Sequence, residues 1–295
     1  MRSCNQTENE NKSTKLAWVL NPLQQCSIIT KNDKLLSHYI IIAAQTTTMP
    51  ICALRSFGRG FVMLSETLHF PAATNIRINI MPFVMGDPSS VPAEYHAYLP
   101  FVDQALEVVP AEKGKIGYLT IDEGFVESGT TQRRAGLHTD RHPDILRGAI
   151  AVPTQWGGSI QGQGGIFLAS NVADSCAAWD VCVQDPGPNG DCEHLREKLI
   201  KEGVESTVLL PNKMYWMSDT IPHESLPLRE RTFRQFFRVV TSRVSHWFQK
   251  HSTANPIGIA PPPNCEIVLS DKFTPAIFPR TAGDLFVSRA YALAK

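Results

Sequence analysis

Apolar and polar positions follow different periods in the two halves of the chain. Residues 94–109 place apolar side chains at helical spacing, with an expected break at Pro100. Residues 76–84 alternate as a strand does until Pro82 interrupts the pattern. After residue 115 the pattern changes to short apolar or alternating runs, which are typical of strands. The predicted strands are 116–122, 146–152, 166–170, 207–210, 214–218 and 232–241.

Two helical segments interrupt these strands. Residues 172–179 are predicted to be helical with Asn171 as the cap, and residues 192–201 form the second helix. Many short strands separated by turns favour a sandwich or barrel of antiparallel strands. We therefore predict a mainly β fold with flanking helices. A polar tail is expected over residues 1–33, followed by a single domain over residues 34–295 with a helical N-terminal flank.

Charge and hydropathy exclude several classes of function. The chain has 295 residues, with 28 Lys+Arg and 28 Asp+Glu, so its formal net charge is zero. A neutral chain has no global electrostatic drive toward nucleic acid or an anionic membrane. The N-terminus is polar, and the longest apolar run near it, residues 39–44, is far shorter than a membrane span. We expect a cytoplasmic protein with no nucleic-acid or membrane partner.

The seven cysteines favour free thiols. Their number is odd and no CxxC pair occurs, which fits a reducing compartment better than a disulfide framework. Cys176, Cys182 and Cys192 could form a thiolate metal site. They fall in a Pro- and Gly-rich loop without the usual ligand spacing, so that interpretation is disfavoured.

Two His-x-Asp pairs carry the candidate chemistry. Residues two apart on an extended strand point to one face, so His138 and Asp140 can converge on a single ion. His223, just before the last strong strand, is the candidate third ligand of a facial triad with open positions, a pattern that suits non-haem Fe(II). The rival pair, His142 and Asp144, is disfavoured because the proline between them breaks the strand they need.

Arginines on the last strong strand add a second clue. Arg234 and Arg238 follow His223 by 11 and 15 residues and would share a face of an extended strand. An inward arginine is costly unless it meets an anion, and its planar fork matches a carboxylate. Arg231 is the remaining candidate, and a surface arginine that pairs with Glu230 is the alternative interpretation.

Together, His138-x-Asp140, His223 and Arg234 resemble the Fe(II)/2-oxoglutarate-dependent oxygenase superfamily, particularly its taurine dioxygenase and clavaminate synthase-like group. The resemblance covers about residues 115–242 and implies a double-stranded β-helix, a jelly-roll or cupin-like barrel. The segments similar to the metal-bearing and intervening strands of many members are 136–140 (GLHTD), 164–168 (GGIFL) and 223–227 (HESLP).

The resemblance also implies a function and its residues. His138, Asp140 and His223 would bind Fe(II), and Arg234 would pair with the distal carboxylate of 2-oxoglutarate. Arg238 would contact the 1-carboxylate of 2-oxoglutarate or a substrate anion. With O2, such an enzyme oxidises a small-molecule metabolite by hydroxylation, desaturation or cyclisation, and releases succinate and CO2.

Two alternatives stay open at this point. A jumonji-like protein hydroxylase or demethylase uses the same fold, but its 2-oxoglutarate anchor is typically a lysine in an earlier strand, and none precedes His223 convincingly. A non-catalytic cupin-type binding protein would keep the barrel without turnover. The complete triad and the inward arginine disfavour the second alternative.

Two further segments are candidates for the pocket. Arg133 and Arg134 precede the His-x-Asp motif; Arg134 would bind an acidic substrate group, although a solvated basic pair is the simpler interpretation. The glycine-rich run at residues 156–165 lacks the lysine and helix of a phosphate loop. It is interpreted as a flexible loop or an active-site lid.

Overall fold

The structure is a computed structural model of the chain. The predicted polar tail over residues 1–33 and the rival ligand Asp144 lie outside the part that it describes. No helix among the described residues is long and apolar enough to cross a membrane. The described residues are 60–142, 145–147 and 150–273, with the backbone alone for 145–147 and 150–152.

Short strands make up most of the regular structure in the described part of the chain. Helix α1 (Leu99–Val108) continues a 3-10 turn at Ala93–Tyr98, and α2 (Arg196–Lys201) continues another at Glu193–Leu195. The strands in chain order are β1 (Phe61–Thr67), β2 (Arg77–Val84), β3 (Ile116–Val126), β4 (Ile145–Arg147), β5 (Ile150–Val152), β6 (Ile166–Ser170), β7 (Cys176–Trp179), β8 (Ser206–Val208), β9 (Lys213–Met217), β10 (His223–Ser225), β11 (Thr232–Val240), β12 (His246–Phe248) and β13 (Glu266–Val268).

The strands form two principal antiparallel sheets. The large sheet has the order β1-β9-β6-β11-β3-β2, and the small sheet has the order β10-β7-β8. Strands β4 and β5 form a hairpin, and β12 pairs with β13 in parallel. The predicted mainly β fold with flanking helices is confirmed. Within the described ranges, the strands form no closed barrel.

One face of the large sheet is buried against α1. Phe101 of the helix meets Phe237 of β11 edge to face, with ring centroids 5.1 Å apart, and Val239 belongs to the same apolar cluster. The helix predicted over residues 94–109 is confirmed. Pro100 does not break it, because a proline in the first turn has no helical N–H bond to lose.

The opposite face of the large sheet packs toward the small sheet. Phe236 and Val240 of β11 share an apolar cluster with Ala178 of β7. Because side chains alternate along a strand, Arg234 and Arg238 lie on the same face as Phe236, and both are buried. The predicted shared, inward face of the two arginines is therefore confirmed.

Two predicted elements are wrong. Residues 172–179 form a turn followed by β7, because the Ser175 hydroxyl closes the turn on the Val172 carbonyl at 2.7 Å and β7 pairs with a strand on each side. This two-sided pairing outweighs the helix propensity of the alanines. Strand β2 also continues through Pro82, since β2 lies at the sheet edge, where a missing N–H is tolerated.

Candidate functional site

A cavity of about 500 Å³ lies between the two sheets. Leu168 and Phe236 line it from the large sheet, and Cys176 and Ser225 line it from the small sheet. The charged and imidazole side chains in its wall are Arg133, Arg134, His138, Asp140, His223, Arg238, His251 and Lys272.

The two candidate histidine ligands are joined through their backbones. The N–H of His138 donates to the carbonyl of His223 at 3.0 Å, and the N–H of His223 donates back to the carbonyl of His138 at 2.8 Å. Their ring centroids lie 4.6 Å apart. This reciprocal bridge places two side chains that are distant in the sequence side by side in the cavity wall.

Backbone contacts also orient the two rings. The Nδ1 atom of His138 is 2.7 Å from the carbonyl of Gly136, and that of His223 is 3.0 Å from the carbonyl of Ile221. A carbonyl only accepts, so each Nδ1 carries the proton and each Nε2 keeps its lone pair. Burial lowers the pKa of His138 well below its usual value and also lowers the pKa of His223. Both rings are therefore neutral near pH 7, as metal ligands must be.

Asp140 is the buried carboxylate of the cavity wall. Its Oδ2 atom lies 3.1 Å from Nη1 of Arg238, and its Oδ1 atom lies 3.6 Å from Nζ of Lys272. Burial acts to raise the pKa of Asp140, but the charges of Arg238 and Lys272 outweigh it and hold that pKa well below its usual range. Asp140 is therefore ionised and balanced by two cations.

The donor set fits a divalent iron ion in its chemistry. Nε2 of His223 lies 3.8 Å from Oδ2 of Asp140, a separation that one ion can bridge at about 2.1 Å from each atom. Two neutral imidazoles and one carboxylate form the ligand type of non-haem Fe(II) sites. Among the described residues, however, no three His, Cys, Asp or Glu side chains already form a metal-holding group. The arrangement supplies the ligands without preassembling all three.

Arg234 lies near the start of β11, is not among the residues that line the cavity, and is almost fully buried, at 1% exposure. Its Nε donates to the Ser170 hydroxyl at 3.0 Å, whereas its Nη2 has no hydrogen-bond partner in the described part of the chain. Burial lowers the pKa of Arg234. No carboxylate of the described residues lies within ion-pair distance of it. A buried cation with an unused donor is the pattern expected of an anion-binding group.

The rival candidates lie elsewhere. Arg231 is exposed, with its Nε 2.9 Å from Glu127 and its guanidinium 3.7 Å from the ring centroid of Phe125. His142 is buried and packs against Phe248, with ring centroids 5.5 Å apart. It does not line the cavity, and its predicted partner Asp144 lies outside the described residues.

The thiolate alternative finds no support in the described residues. Cys176, Cys182, Cys192 and Cys265 are free, which confirms the free-thiol prediction for these four. Cys176 lines the cavity, whereas Cys192 packs in a separate apolar cluster with Leu137. The three cysteines of the thiolate alternative therefore form no metal-holding group.

The glycine-rich run contributes one residue to the cavity wall, Trp156. Both ends of the run are tied to the core: the Trp156 N–H donates to Asp219 at 2.8 Å, and the indole of Trp216 donates to the Gly164 carbonyl at 2.6 Å. Gly165 must be glycine, because a Cβ there would lie 2.1 Å from the Trp216 indole nitrogen. The lid interpretation stays a prediction for the exposed tip only.

Sequence reasoning missed one charged residue of the site. Lys272 lies in the C-terminal part of the chain, for which no resemblance was found, yet its Nζ lies beside Asp140 and 4.7 Å from the Trp156 ring centroid. Burial lowers the pKa of Lys272 to about 8. No local pattern marks a lone lysine as an inward residue, so the sequence offered no signal for it.

Comparisons with known proteins add little to this geometry. No protein-family model matches the chain, and no curated protein matches it. Among solved structures, the crystal structure of HygX from Streptomyces hygroscopicus with iron bound is similar, with a TM-score of 0.29 and 12% identity over 56% of this chain and 71% of the HygX chain. A likeness this weak carries no argument about fold or function.

Proposed function

We propose that the chain is a non-haem Fe(II), 2-oxoglutarate-dependent oxygenase that oxidises a small molecule. One observation carries the proposal: His138 and His223 are bridged through their backbones and keep their Nε2 atoms free, with Asp140 in the same cavity. When bound at these three residues, iron would activate O2 with electrons from the oxidative decarboxylation of 2-oxoglutarate, which yields succinate and CO2.

The protein groups around the site have separate tasks in this proposal. The backbone bridge holds the two imidazoles in register, and the Gly136 and Ile221 carbonyls fix their tautomers. Arg238 balances the charge of Asp140, and its Nη1 donates to both carboxylate oxygens, at 3.1 and 3.3 Å, so Asp140 would have to loosen this contact to reach the ion. Apolar side chains such as Trp156, Leu168 and Phe236 line the cavity and limit access of water.

Arg234 is proposed to bind the 5-carboxylate of 2-oxoglutarate. Its unused Nη2 donor and its lack of a carboxylate partner in the described ranges support that role. The Ser170 hydroxyl holds the guanidinium in place through Nε. Arg238 is less suited to the task because Asp140 already engages it at 3.1 Å.

The fold is proposed to be a double-stranded β-helix. A large and a small antiparallel sheet that share one apolar cluster, with the cavity between them, support this architecture. The proposed iron ligands would then come from β10 and from the bridge residue His138 with its neighbour Asp140. Neither α1 nor α2 contributes a residue to the lining of this cavity.

Anaerobic titration with Fe(II) tests the proposal directly. One equivalent of iron should bind per chain, and addition of 2-oxoglutarate should produce a metal-to-ligand absorption band. With O2 and a metabolite mixture, 2-oxoglutarate should be converted to succinate. The matched control is His69→Ala, which changes an exposed histidine. Loss of binding in His138→Ala but not in the control assigns the iron to the cavity.

One observation favours a second candidate function, a non-catalytic binding protein of the same fold. Asp140 is already paired with Arg238 and Lys272, and no ligand set is preassembled among the described residues. A binding protein of this kind would retain the cavity but take up no iron at stoichiometric levels. The same Fe(II) titration therefore decides between the two functions.

A further inference from the structure

The cavity carries more positive charge than the proposed reaction needs. Four cationic side chains line it, Arg133, Arg134, Arg238 and Lys272, and Asp140 is the carboxylate among its lining residues. If the proposed function holds, the iron, Asp140, Arg234 and 2-oxoglutarate together carry no net charge. Among the lining residues, no further carboxylate then remains for the four cations.

The four cations are not equivalent. Arg238 and Lys272 both face Asp140. Arg133 lies 3.4 Å from Asp122. Arg134 is the one that no carboxylate of the described residues contacts within ion-pair distance. It is thus the cation with the greatest capacity to accept an anion from outside the chain.

The loop around Arg134 is firmly held. Its Nη1 donates to the Asn189 carbonyl at 2.6 Å, and its guanidinium lies 5.5 Å from the ring centroid of Phe273. The N–H of Ser225, at the end of β10, donates to the Arg134 carbonyl at 3.4 Å. These contacts fix the half-buried side chain at the cavity wall, and its Nε and Nη2 donate no hydrogen bond to the described residues. A positioned guanidinium with spare donors is suited to an oxyanion.

A large part of the remaining wall of the cavity is apolar, although Gln132, Ser225 and the histidines also line it. Ile80, Trp156, Leu168, Phe236 and Phe273 line it. A volume of about 500 Å³ admits a molecule of metabolite size beside a co-substrate. The enclosure therefore combines one anion-binding corner with a hydrophobic body.

We propose that the substrate of this site is an anionic small molecule with an apolar body, and that Arg134, with Arg133 beside it, binds its carboxylate or phosphate group. The inference rests on the proposed function for the identity of the site, and it assigns Arg134 as the residue that determines specificity. Arg133 contributes a second positive charge, while its contacts to Asp122 and to the Asn79 side chain hold it in place.

Calorimetric titration of the full chain with four probes of equal chain length tests this inference: hexanoate, hexyl phosphate, hexanol and hexylamine. The titration is run on metal-free protein and on protein loaded with Ni(II) and 2-oxoglutarate. Hexanoate or hexyl phosphate should bind at least about tenfold more tightly than hexanol and hexylamine, since charge-assisted hydrogen bonds are lost with the neutral probe. The tighter of the two anions identifies the head group as carboxylate or phosphate.

Variants locate the anion. Arg134→Gln should weaken binding of the preferred anion by about tenfold or more and leave hexanol unchanged, and Arg134→Lys should lose less because it keeps the charge. The control is Arg231→Gln, which changes an exposed arginine. Equal binding of hexanoate, hexyl phosphate and hexanol overturns the inference. It is also overturned if Arg234→Gln abolishes anion binding while Arg134→Gln does not, because the anion would then occupy the co-substrate position.

The two proposals fail in different ways. If no Fe(II) and 2-oxoglutarate band forms, the proposed oxygenase function fails, whereas the charge preference of the metal-free cavity is still measured. If the band forms and the probes show no preference for anions, the substrate inference alone fails.

Discussion

Glu123 and Arg234 are buried polar residues on opposite faces of the large sheet, and they differ in how completely they are hydrogen-bonded. On the α1 face, the Glu123 carboxylate accepts hydrogen bonds from the Tyr98 hydroxyl at 2.5 Å, from the backbone N–H groups of Thr74 and Ile76 at 2.8 and 3.0 Å, and from Gln235 at 3.1 Å. On the cavity face, Arg234 is just as buried but leaves a donor unused. Gln235 and Arg234 are neighbours on β11 and point in opposite directions.

The contrast separates polar groups that serve the fold from those available for chemistry. A buried polar group costs free energy unless it is fully hydrogen-bonded, and the Glu123 group meets that condition without any cation. The cavity face instead concentrates like charges around one carboxylate, Asp140. Clustered like charges stabilise the fold little. Such an arrangement is typical of a binding site, where a ligand supplies the missing charge.

Removal of a cavity histidine should give the largest effect. It should lower activity and leave the stability of the fold nearly unchanged. His138→Ala deletes one of three proposed ligands, so turnover of 2-oxoglutarate should fall by more than about a thousandfold. The free energy of unfolding should change little, because the apolar cores on both faces of the sheet remain. Succinate assays and urea unfolding measure the two quantities. Full activity in this variant would refute the iron assignment.

Removal of the Glu123 carboxylate should have the opposite profile. Glu123→Ala removes the acceptor of the buried Tyr98 hydroxyl and Ile76 N–H, and also one contact each of Gln235 and Thr74, so the free energy of unfolding should fall by about 3 kcal/mol. Iron binding per folded molecule should be unchanged. Glu127→Ala, an exposed carboxylate, is the matched control and should stay within about 0.5 kcal/mol of the parent. A small effect of Glu123→Ala would show that the α1 face tolerates unsatisfied groups too.

Loss of the Arg234 guanidinium should weaken the binding of 2-oxoglutarate and leave iron binding unchanged. Arg234→Gln should lower the affinity for 2-oxoglutarate by about ten- to a hundredfold, since charge-assisted hydrogen bonds are worth roughly 1.5–3 kcal/mol. Arg234→Lys should recover only part, because an ammonium lacks the planar fork. The readout is the anaerobic absorption band during a 2-oxoglutarate titration. A larger shift in Arg238→Gln would reassign the anchor.

The smallest expected effect is a pH dependence of the stability that Glu123 contributes on the α1 face. Burial acts to raise the pKa of Glu123, but hydrogen bonds from Tyr98, Ile76, Gln235 and Thr74 lower it overall. The folded pKa is then below the unfolded value of about 4.3. The unfolded chain binds more protons between the two values, so this contribution to stability is present above about pH 4.3 and is lost as the pH falls through the folded pKa. Urea unfolding at pH 3 to 6 should show a shallower acid slope in Glu123→Gln than in the parent.

Strands with a clear period could be predicted from the sequence. The faces of β11 followed from its alternation, and with them the inward direction of Arg234 and Arg238. The pairing of His138 with His223 in one cavity was also anticipated, through the resemblance to an oxygenase family. These features depend on local pattern or on motif spacing, both of which a single sequence contains.

Other features depend on contacts that no local pattern encodes. Strand β10 has three residues, too few to show a period, and β7 was predicted as a helix although its neighbours hold it extended. Lys272 reaches Asp140 from a distant part of the chain. The hydrogen-bond partners of Glu123 come from three separate segments, so its role could not be predicted before the segments were brought together.

The backbone bridge between His138 and His223 makes the pair a chelate whose two arms are aligned when the chain folds. An arriving divalent ion would therefore reposition little of the protein beyond the Asp140 side chain and its contacts with Arg238 and Lys272. Metal loading and folding are then separate events, unlike in small zinc domains, which unfold when their ion is removed. The folded chain should withstand repeated emptying with a chelator and refilling, with the same unfolding midpoint after each cycle.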